Sequence, residues 1–319
     1  MFDRDRMRLI GRRLVQFVPV IVMATFIVFG LMQLVPGDIA VTLAGENASA
    51  ARIAELRTLY GLDRPMLVQY GSWLWNAMHG DLAKSMLSGE PVINAILHRF
   101  PTTLTVVLYA LILSLLVGIP MGILAALRPG SRIDGFVTSV ASLGVAVPNF
   151  WLAMLLVATF ALTWNWFPAT GAVPFGKDAM KSLHAATLPA IALAAGGVAE
   201  VARQLRGSLV EVLSSQFVRT LHAKGLAPAV ILWKHGLKNV SVNLLTVVGL
   251  LFNRLLGATV VIEAVFAIPG VGSMVVHSAI QKDFPVIQGV VLAMVLIVIT
   301  LNLIIDVLYT VVDPRVARR

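Results

Sequence analysis

The sequence has no cysteine and few charged residues: Asp, Glu, Lys and Arg together make up 13% of its 319 residues. The missing cysteine excludes disulfide bonds, thiolate metal sites and a cysteine nucleophile. The low charge is matched by an apolar content of 58% and a mean hydropathy of +0.87. Soluble domains have about a quarter charged residues, and one water-soluble core could not bury this much apolar surface. We therefore predict an all-α membrane protein whose outer faces are solvated by lipid.

Patterns typical of nucleotide hydrolysis and metal binding are also missing. Gly176-Lys177 is followed by Asp178 and lacks the glycine spacing of a phosphate-binding loop. The six histidines form no H-E-x-x-H pair, so we predict no metal site. The net charge of +9 is not gathered in a run interleaved with aromatic residues, which argues against nucleic-acid binding. The chain is therefore not predicted to be an enzyme, and no cofactor is expected in it.

Six apolar stretches are long enough to cross a bilayer, which takes about 20 helical residues. The fourth is the weakest, because Glu200 and Arg203 come early in it. The second and third contain Pro120 and Pro148, which membrane helices tolerate when neighbouring helices satisfy the freed backbone groups. The stretches cover residues 17–35, 102–127, 135–164, a segment from about 187, 242–261 and 286–312.

Most Lys and Arg residues lie before the first span and in alternate connections, which by the positive-inside rule places both termini in the cytoplasm. This orientation makes the loop after the first span external and the loop after the fourth span cytoplasmic. The chain is thus divided into a cytoplasmic N-terminus with the first span (1–35), an external loop region (36–101), a five-helix core (102–312) containing a cytoplasmic loop (203–240), and a cytoplasmic tail (313–319).

The external region contains a predicted short helix over residues 49–60. Ser49 can cap its N-terminus, and Gly61 can close its C-terminus in the left-handed conformation. Ile53, Leu56 and Leu59 share one face of this helix. Two interpretations stay open: a solvent-exposed loop helix, and a lid or docking surface for an external partner.

The cytoplasmic loop has the pattern of a helix, a sharp turn and a second helix. Phe217 and Leu221 are spaced i, i+4 on one face, Gly225 suits the end of a helix, and Pro228 suits the first turn of the next. Such an amphipathic helix can lie among lipid headgroups or insert its apolar face into a groove on a cytoplasmic partner.

The cytoplasmic loop, together with segments that occur in the same order along the chain, resembles the dipeptide/oligopeptide/nickel group of ABC-importer permeases. The resemblance covers essentially the whole chain. The sequence departs from the family pattern at a few positions. The generic importer loop has Glu-Ala-Ala where this chain has Arg219, Thr220 and Leu221, and it has proline where this chain has Lys238. In the peptide group, Arg-Thr is usual at the first two of these positions, and alanine is usual at the position of Leu221. The matching segments are GLDRP (61–65), GDLAKSM (80–86), RFPTTL (99–104), VPNFW (147–151), FPATG (167–171), FVRTLHAKGL (217–226), HGLKN (235–239), EAVFAIPGVG (263–272), DFPVIQG (283–289) and NLIIDVLYTVVDPR (302–315).

The resemblance implies a permease subunit of an ATP-driven, binding-protein-dependent importer in the bacterial inner membrane. Its expected partners are a second homologous permease, two ATP-binding subunits that hold ATP and Mg²⁺, an extracytoplasmic substrate-binding protein and membrane lipid. The implied substrates are di- or oligopeptides, with nickel chelates, glutathione or opines as alternatives. The alternative hypothesis is a protein of another class, an ATP-independent transporter or channel. Such a protein would need an intramembrane carboxylate relay or internal repeats. The residues implied to couple the chain to the ATPase are Phe217, Arg219, Thr220, Leu221, Lys224, Gly225, His235 and Asn239.

Four residues are candidates for the translocation path. Arg254 lies near the middle of the fifth span, where a charge is costly and faces the bundle interior. It is either a pore-lining cation or, as we favour, part of an ion pair with Glu263, Asp306 or a partner subunit. Glu263 is either a solvated carboxylate, the favoured reading, or part of the outer gate or binding-protein contact. Pro148 and Asn149 either break the third helix toward a cavity or only kink it.

Overall fold

The computed structural model describes residues 2–34, 39–45 and 48–312, and within these ranges the fold is helical, with no strand. Helix α7 continues into a π-helical segment, Val157–Thr163, and α10 into another, Ile231–Gly236. The helices are α1 (Phe2–Gln33), α2 (Ile39–Ala44), α3 (Ala50–Leu59), α4 (Met66–Met78), α5 (Val92–Leu127), α6 (Arg132–Ala146), α7 (Asn149–Leu156), α8 (Ala179–Leu213), α9 (Gln216–Ala223), α10 (Pro228–Val230), α11 (Leu237–Val265), α12 (Val271–Gln281) and α13 (Phe284–Val312).

Five helical segments of the described chain are long and apolar enough to cross a membrane, and a bent pair raises the number to six. The prediction of about six spans in an all-α protein is therefore confirmed. The second span is longer than predicted, because α5 begins at Val92 and includes Pro101 without a break. The segments are Val15–Gln33, Val92–Leu127, the pair Arg132–Ala146 and Asn149–Thr163, Ala179–Leu213, Pro228–Val265, and Phe284–Tyr309.

The third predicted span is not one continuous helix. Its two halves, α6 and α7, meet at an angle of 95°. Val147 has ψ 121°, an extended conformation that a residue before proline prefers, and Pro148 then stands at the start of α7. The structure therefore shows a helix break at Pro148-Asn149 instead of a simple kink, whereas the opening of this break toward a cavity stays a prediction.

Helix α8 does not end where its first charges appear. It begins after Asp178, whose carboxylate accepts the Lys181 backbone N–H at 3.0 Å, and this bond holds the pKa of that carboxyl below its ordinary value. It continues through Arg203 to Leu213, so residues 203–213 are helical rather than part of a loop. Arg206 pairs with the buried Asp134 of α6, which lets a charged helix pack against its neighbours.

The described chain forms two compact units. The first contains the described residues within Met1–Phe100 and Ser273–Thr300, and the second contains those within Pro101–Gly272 and Leu301–Arg319. The loop predicted to be cytoplasmic and the four candidate path residues all belong to the second unit.

In the second unit, α8 is the central helix and packs against α6, α7 and α11. Its contact faces are rich in small side chains, which let membrane helices approach closely. At Gly122 of α5, a β-carbon would overlap the Ala202 carbonyl of α8, so only glycine permits this approach. The buried alanines of α8 are Ala186, Ala190, Ala192, Ala194, Ala199 and Ala202.

In the first unit, side chains join the segment between α4 and α5 to the start of α13. Ser85 donates to Asp283 at 2.5 Å, and the Met86 backbone N–H donates to the other carboxylate oxygen at 3.1 Å. Both Ser85 and Asp283 are buried. Tyr70 of α4 donates to the Val22 carbonyl of α1 at 3.0 Å, which joins these helices.

The predicted external helix is present as α3. Ser49 caps it by accepting the Arg52 backbone N–H, and Gly61 has φ +66°. Leu56 is buried and Ile53 is half-buried, as their shared face predicts. Leu59 is 70% exposed, so it lies outside the packed face.

Candidate coupling loop and intramembrane polar residues

The predicted helix, turn and helix of the loop are all present. Helix α9 ends in a Schellman motif: the Gly225 N–H donates to the His222 carbonyl at 2.9 Å, and the Leu226 N–H donates to the Leu221 carbonyl at 3.2 Å. Gly225 has φ +78°, which other residues adopt only at a cost. Pro228 is the first residue of α10, as predicted.

The apolar face of α9 is divided between the interior of the chain and solvent. Val218 is buried, Leu221 is half-buried, and Phe217 is 46% exposed. The Phe217 ring meets the His235 ring edge-on, with centroids 5.9 Å apart. Val218 therefore anchors the helix to the chain, while part of the apolar surface of Phe217 stays uncovered.

The second half of the loop returns firmly to the helical core. Leu232, in the π-helical segment, packs with Ile123 of α5, Leu205 and Leu209 of α8, and Val240 of α11. The loop is thereby clamped to three spans.

Of the eight loop residues implied to contact the ATPase, six are exposed and two are not. Leu221 and His235 are half-buried, and Asn239 donates to the His235 carbonyl at 2.7 Å. The exposed members are Phe217, Arg219, Thr220, Lys224, Gly225 and Asn239.

Arg254 forms an ion pair, but with a different partner from those considered. Its Nη2 donates to Glu200 Oε1 at 3.0 Å, and its Nη1 lies 2.7 Å from Oε2. The favoured pairing is therefore present within the chain, and the suggestion of Glu263 or Asp306 as partner is wrong. Opposite charges near the middle of two packed spans were the signal that could have identified Glu200.

Pro148 and Asn149 lie near the same side of α8 as this pair. A β-carbon on Gly196 would be 3.9 Å from Asn149 Oδ1, and Gly196 is one helical turn before Glu200. Helix α7 packs on both α8 and α11. Asn149 and Arg254 thus approach α8 at positions about one helical turn apart, Gly196 and Glu200, and Pro148 is exposed.

Glu263 is fully buried, so the prediction of a solvated carboxylate is wrong. Thr103 of α5 donates to its Oε1 at 2.5 Å, and the same hydroxyl accepts the Val271 backbone N–H at 2.9 Å. The Ile268 N–H donates to the Glu263 carbonyl at 2.8 Å. The carboxylate therefore fixes the turn after α11, since a buried polar group needs such partners. Thr103 lies in the matching segment RFPTTL (99–104), but no role was predicted for this residue from the sequence.

Comparison with known proteins shows which family the chain matches. Residues 118–318 match the family described as binding-protein-dependent transport system inner membrane component, and residues 6–107 match its N-terminal counterpart. The oligopeptide transport system permease AppB of Bacillus subtilis is 36% identical over 96% of this chain and 98% of its own. The dipeptide transport system permease DppB of Escherichia coli is 34% identical over 98% and 99%. A provisionally named peptide transport system permease of Brucella abortus is 41% identical over 97% and 98%.

Among solved structures, the inward-facing MetNI methionine ABC transporter matches with a TM-score of 0.58, covering 69% of this chain and 96% of the other. At 17% identity, this likeness concerns the fold. The spans and the clamped loop define a multi-pass transport subunit of the inner membrane. The chain belongs to the family of binding-protein-dependent transport system inner membrane components, as the sequence resemblance predicted.

Proposed function

We propose that this chain is one of two permease subunits of an ATP-driven, binding-protein-dependent importer, and that it forms half of a translocation path for peptides. The relatives named above are permeases of peptide, oligopeptide and dipeptide transport systems, and they match nearly the whole chain. An ATP-independent transporter or channel has no comparable support.

The observation that carries the proposal is helix α9. Its Schellman motif fixes its end, Val218 holds it to the chain, and Phe217 stays exposed. A short amphipathic helix of this kind is suited to a groove on a cytoplasmic partner. The partner we propose is an ATP-binding subunit, since this chain has no phosphate-binding motif in its sequence.

The proposed cycle follows from how the loop is attached. A second, homologous permease completes the path, two ATP-binding subunits bind ATP and Mg²⁺, and an extracytoplasmic binding protein delivers the peptide. Closure of the ATP-binding subunits moves α9, and Leu232 transmits the movement to α5, α8 and α11. Alternating access is then a shift of population between inward-open and outward-open states.

The first test is Phe217→Ala in the complete transporter, purified with its cognate ATP-binding subunits. Loss of a large apolar anchor at a protein interface commonly costs more than about 1 kcal/mol of binding. We expect at least fivefold less ATP-binding subunit to co-purify, and lower peptide uptake. Ile112→Ala is the matched control, because Ile112 is 59% exposed on a span, away from the loop. Undiminished co-purification and uptake in Phe217→Ala would show that α9 is not the coupling element.

A further inference from the structure

The two charges of the Arg254–Glu200 pair are unequally covered. The Arg254 side chain is 60% exposed, whereas that of Glu200 is 22% exposed. Because a charged side chain at the bilayer centre is costly, an exposed guanidinium in a span does not face lipid. The exposed side of Arg254 must therefore face a water-filled path or another subunit.

Arg254 also has hydrogen-bonding capacity to spare. Of the five N–H donors of a guanidinium, the contacts with Glu200 engage two nitrogens. No other residue of the described chain accepts a bond from it. The Asn149 amide, about one turn away along α8, likewise has no hydrogen-bond partner among the described residues. Both side chains therefore have N–H donors that no described residue of the chain occupies.

There is room beside Arg254 for an extended ligand. From Thr246 to Ala264, the exposed positions of α11 follow helical spacing and form one face: Thr246, Leu250, Arg254, Gly257, Val261 and Ala264. A β-carbon on Gly257 would meet no atom within 4 Å. Because Gly257 has no side chain, the surface of α11 next to the guanidinium is open, and a polypeptide backbone can approach it closely.

We propose that Arg254 binds the carboxylate of the transported substrate, and that Glu200 is a positioning residue that holds the guanidinium toward the path. A guanidinium matches a carboxylate in geometry and can donate two parallel bonds to it. This proposal rests on the proposed function, because a peptide with a free C-terminus carries such a group. A zwitterionic peptide adds no net charge to the neutral pair, so its passage leaves no uncompensated charge in the membrane.

The substrate class follows from this chemistry. Peptides with a free C-terminal carboxylate are expected to pass efficiently, and peptides with a C-terminal amide to pass poorly. The preference should reside partly in the permease, in addition to any selection by the binding protein. Arg254→Gln removes the charge while keeping a polar side chain of similar length.

The test compares uptake of one dipeptide as free acid and as C-terminal amide, by the complete transporter in cells without other peptide uptake. The acid-to-amide ratio of each variant is divided by that of the wild type, which cancels selection by the binding protein. Arg254→Gln is expected to reduce the ratio about tenfold, the scale of one charge-assisted hydrogen bond. Glu200→Gln should reduce it less, and Arg254→Lys should retain most of it. Leu116→Gln, on α5 and 67% exposed, is outside the proposed surface and should leave the ratio unchanged.

Two results would overturn the proposal while leaving the proposed function intact. One is an equal loss of acid and amide uptake in Arg254→Gln, and the other is a loss of the second permease from the purified complex, which would make Arg254 an interface residue. If the wild-type transporter imports neither peptide, the proposed function fails as well.

Discussion

At the level of single residues, polar groups within the spans are fixed by partners on other helices. Arg206 of α8 pairs with Asp134 of α6, Arg254 of α11 pairs with Glu200 of α8, and Glu263 is bonded by Thr103. Buried charges are tolerated only when they are paired and hydrogen-bonded, so each contact also fixes how two helices pack.

The Thr103–Glu263 contact predicts a measurable loss of stability. Thr103→Val keeps the shape of the side chain but removes a donor to Glu263 and the acceptor of the Val271 N–H. Each buried group left unsatisfied costs about 1–3 kcal/mol, so the variant should melt several degrees lower in detergent. Thr105→Val is the control, because the Thr105 hydroxyl donates to the Pro101 carbonyl of its own helix. Equal melting temperatures for wild type and Thr103→Val would refute this role.

The sequence made it possible to identify Arg254 as an ion-pair candidate but not to identify its partner. The span hydropathy shows that a charge there needs compensation. Which acidic residue supplies it depends on how α8 and α11 cross, which no local pattern specifies. Glu263 was misjudged for the same reason, because its place at the end of α11 looks solvent-accessible until α5 is packed against it.

At the level of elements, local signals predicted the loop well. Gly225 and Pro228 act through their own backbone preferences, so the turn between α9 and α10 could be recognised without tertiary information. The sequence did not decide between a kink and a full break at the junction of α6 and α7, because Pro148 permits both. The 95° bend depends on the packing of α7 against α8 and α11.

Gly225 provides a test of whether the shape of the loop matters by itself. Gly225→Ala adds a methyl group in open space, so its cost is that of a left-handed backbone, about 1–2 kcal/mol. We expect faster hydrogen exchange in residues 216–226 and less co-purified ATP-binding subunit. Gly207→Ala is the control, because Gly207 is also exposed and uncrowded but lies in regular helix α8, where alanine is favoured. Unchanged hydrogen exchange in Gly225→Ala would show that the turn does not depend on glycine.

At the level of the whole molecule, the hydropathy pattern predicted about six spans and the family match confirmed the class of transporter. The boundaries were less accurate, since α5 begins before its apolar core and α8 continues past its charged residues. Hydropathy measures affinity for lipid, whereas helix length also reflects capping and packing against other helices. The orientation of the chain remains a prediction from the distribution of Lys and Arg.

That orientation can be tested directly because the sequence contains no cysteine, so a single introduced thiol is the only labelling site. Leu59→Cys and Trp233→Cys replace side chains that are 70% and 65% exposed. With the N-terminus in the cytoplasm, Leu59 lies outside and Trp233 lies in the cytoplasmic loop. A membrane-impermeant maleimide should therefore label Leu59→Cys in intact cells, and should label Trp233→Cys only after the inner membrane is opened. The reverse pattern would place α9 outside the cell, where no ATP-binding subunit could reach it, and the coupling role proposed for Phe217 would be lost with it.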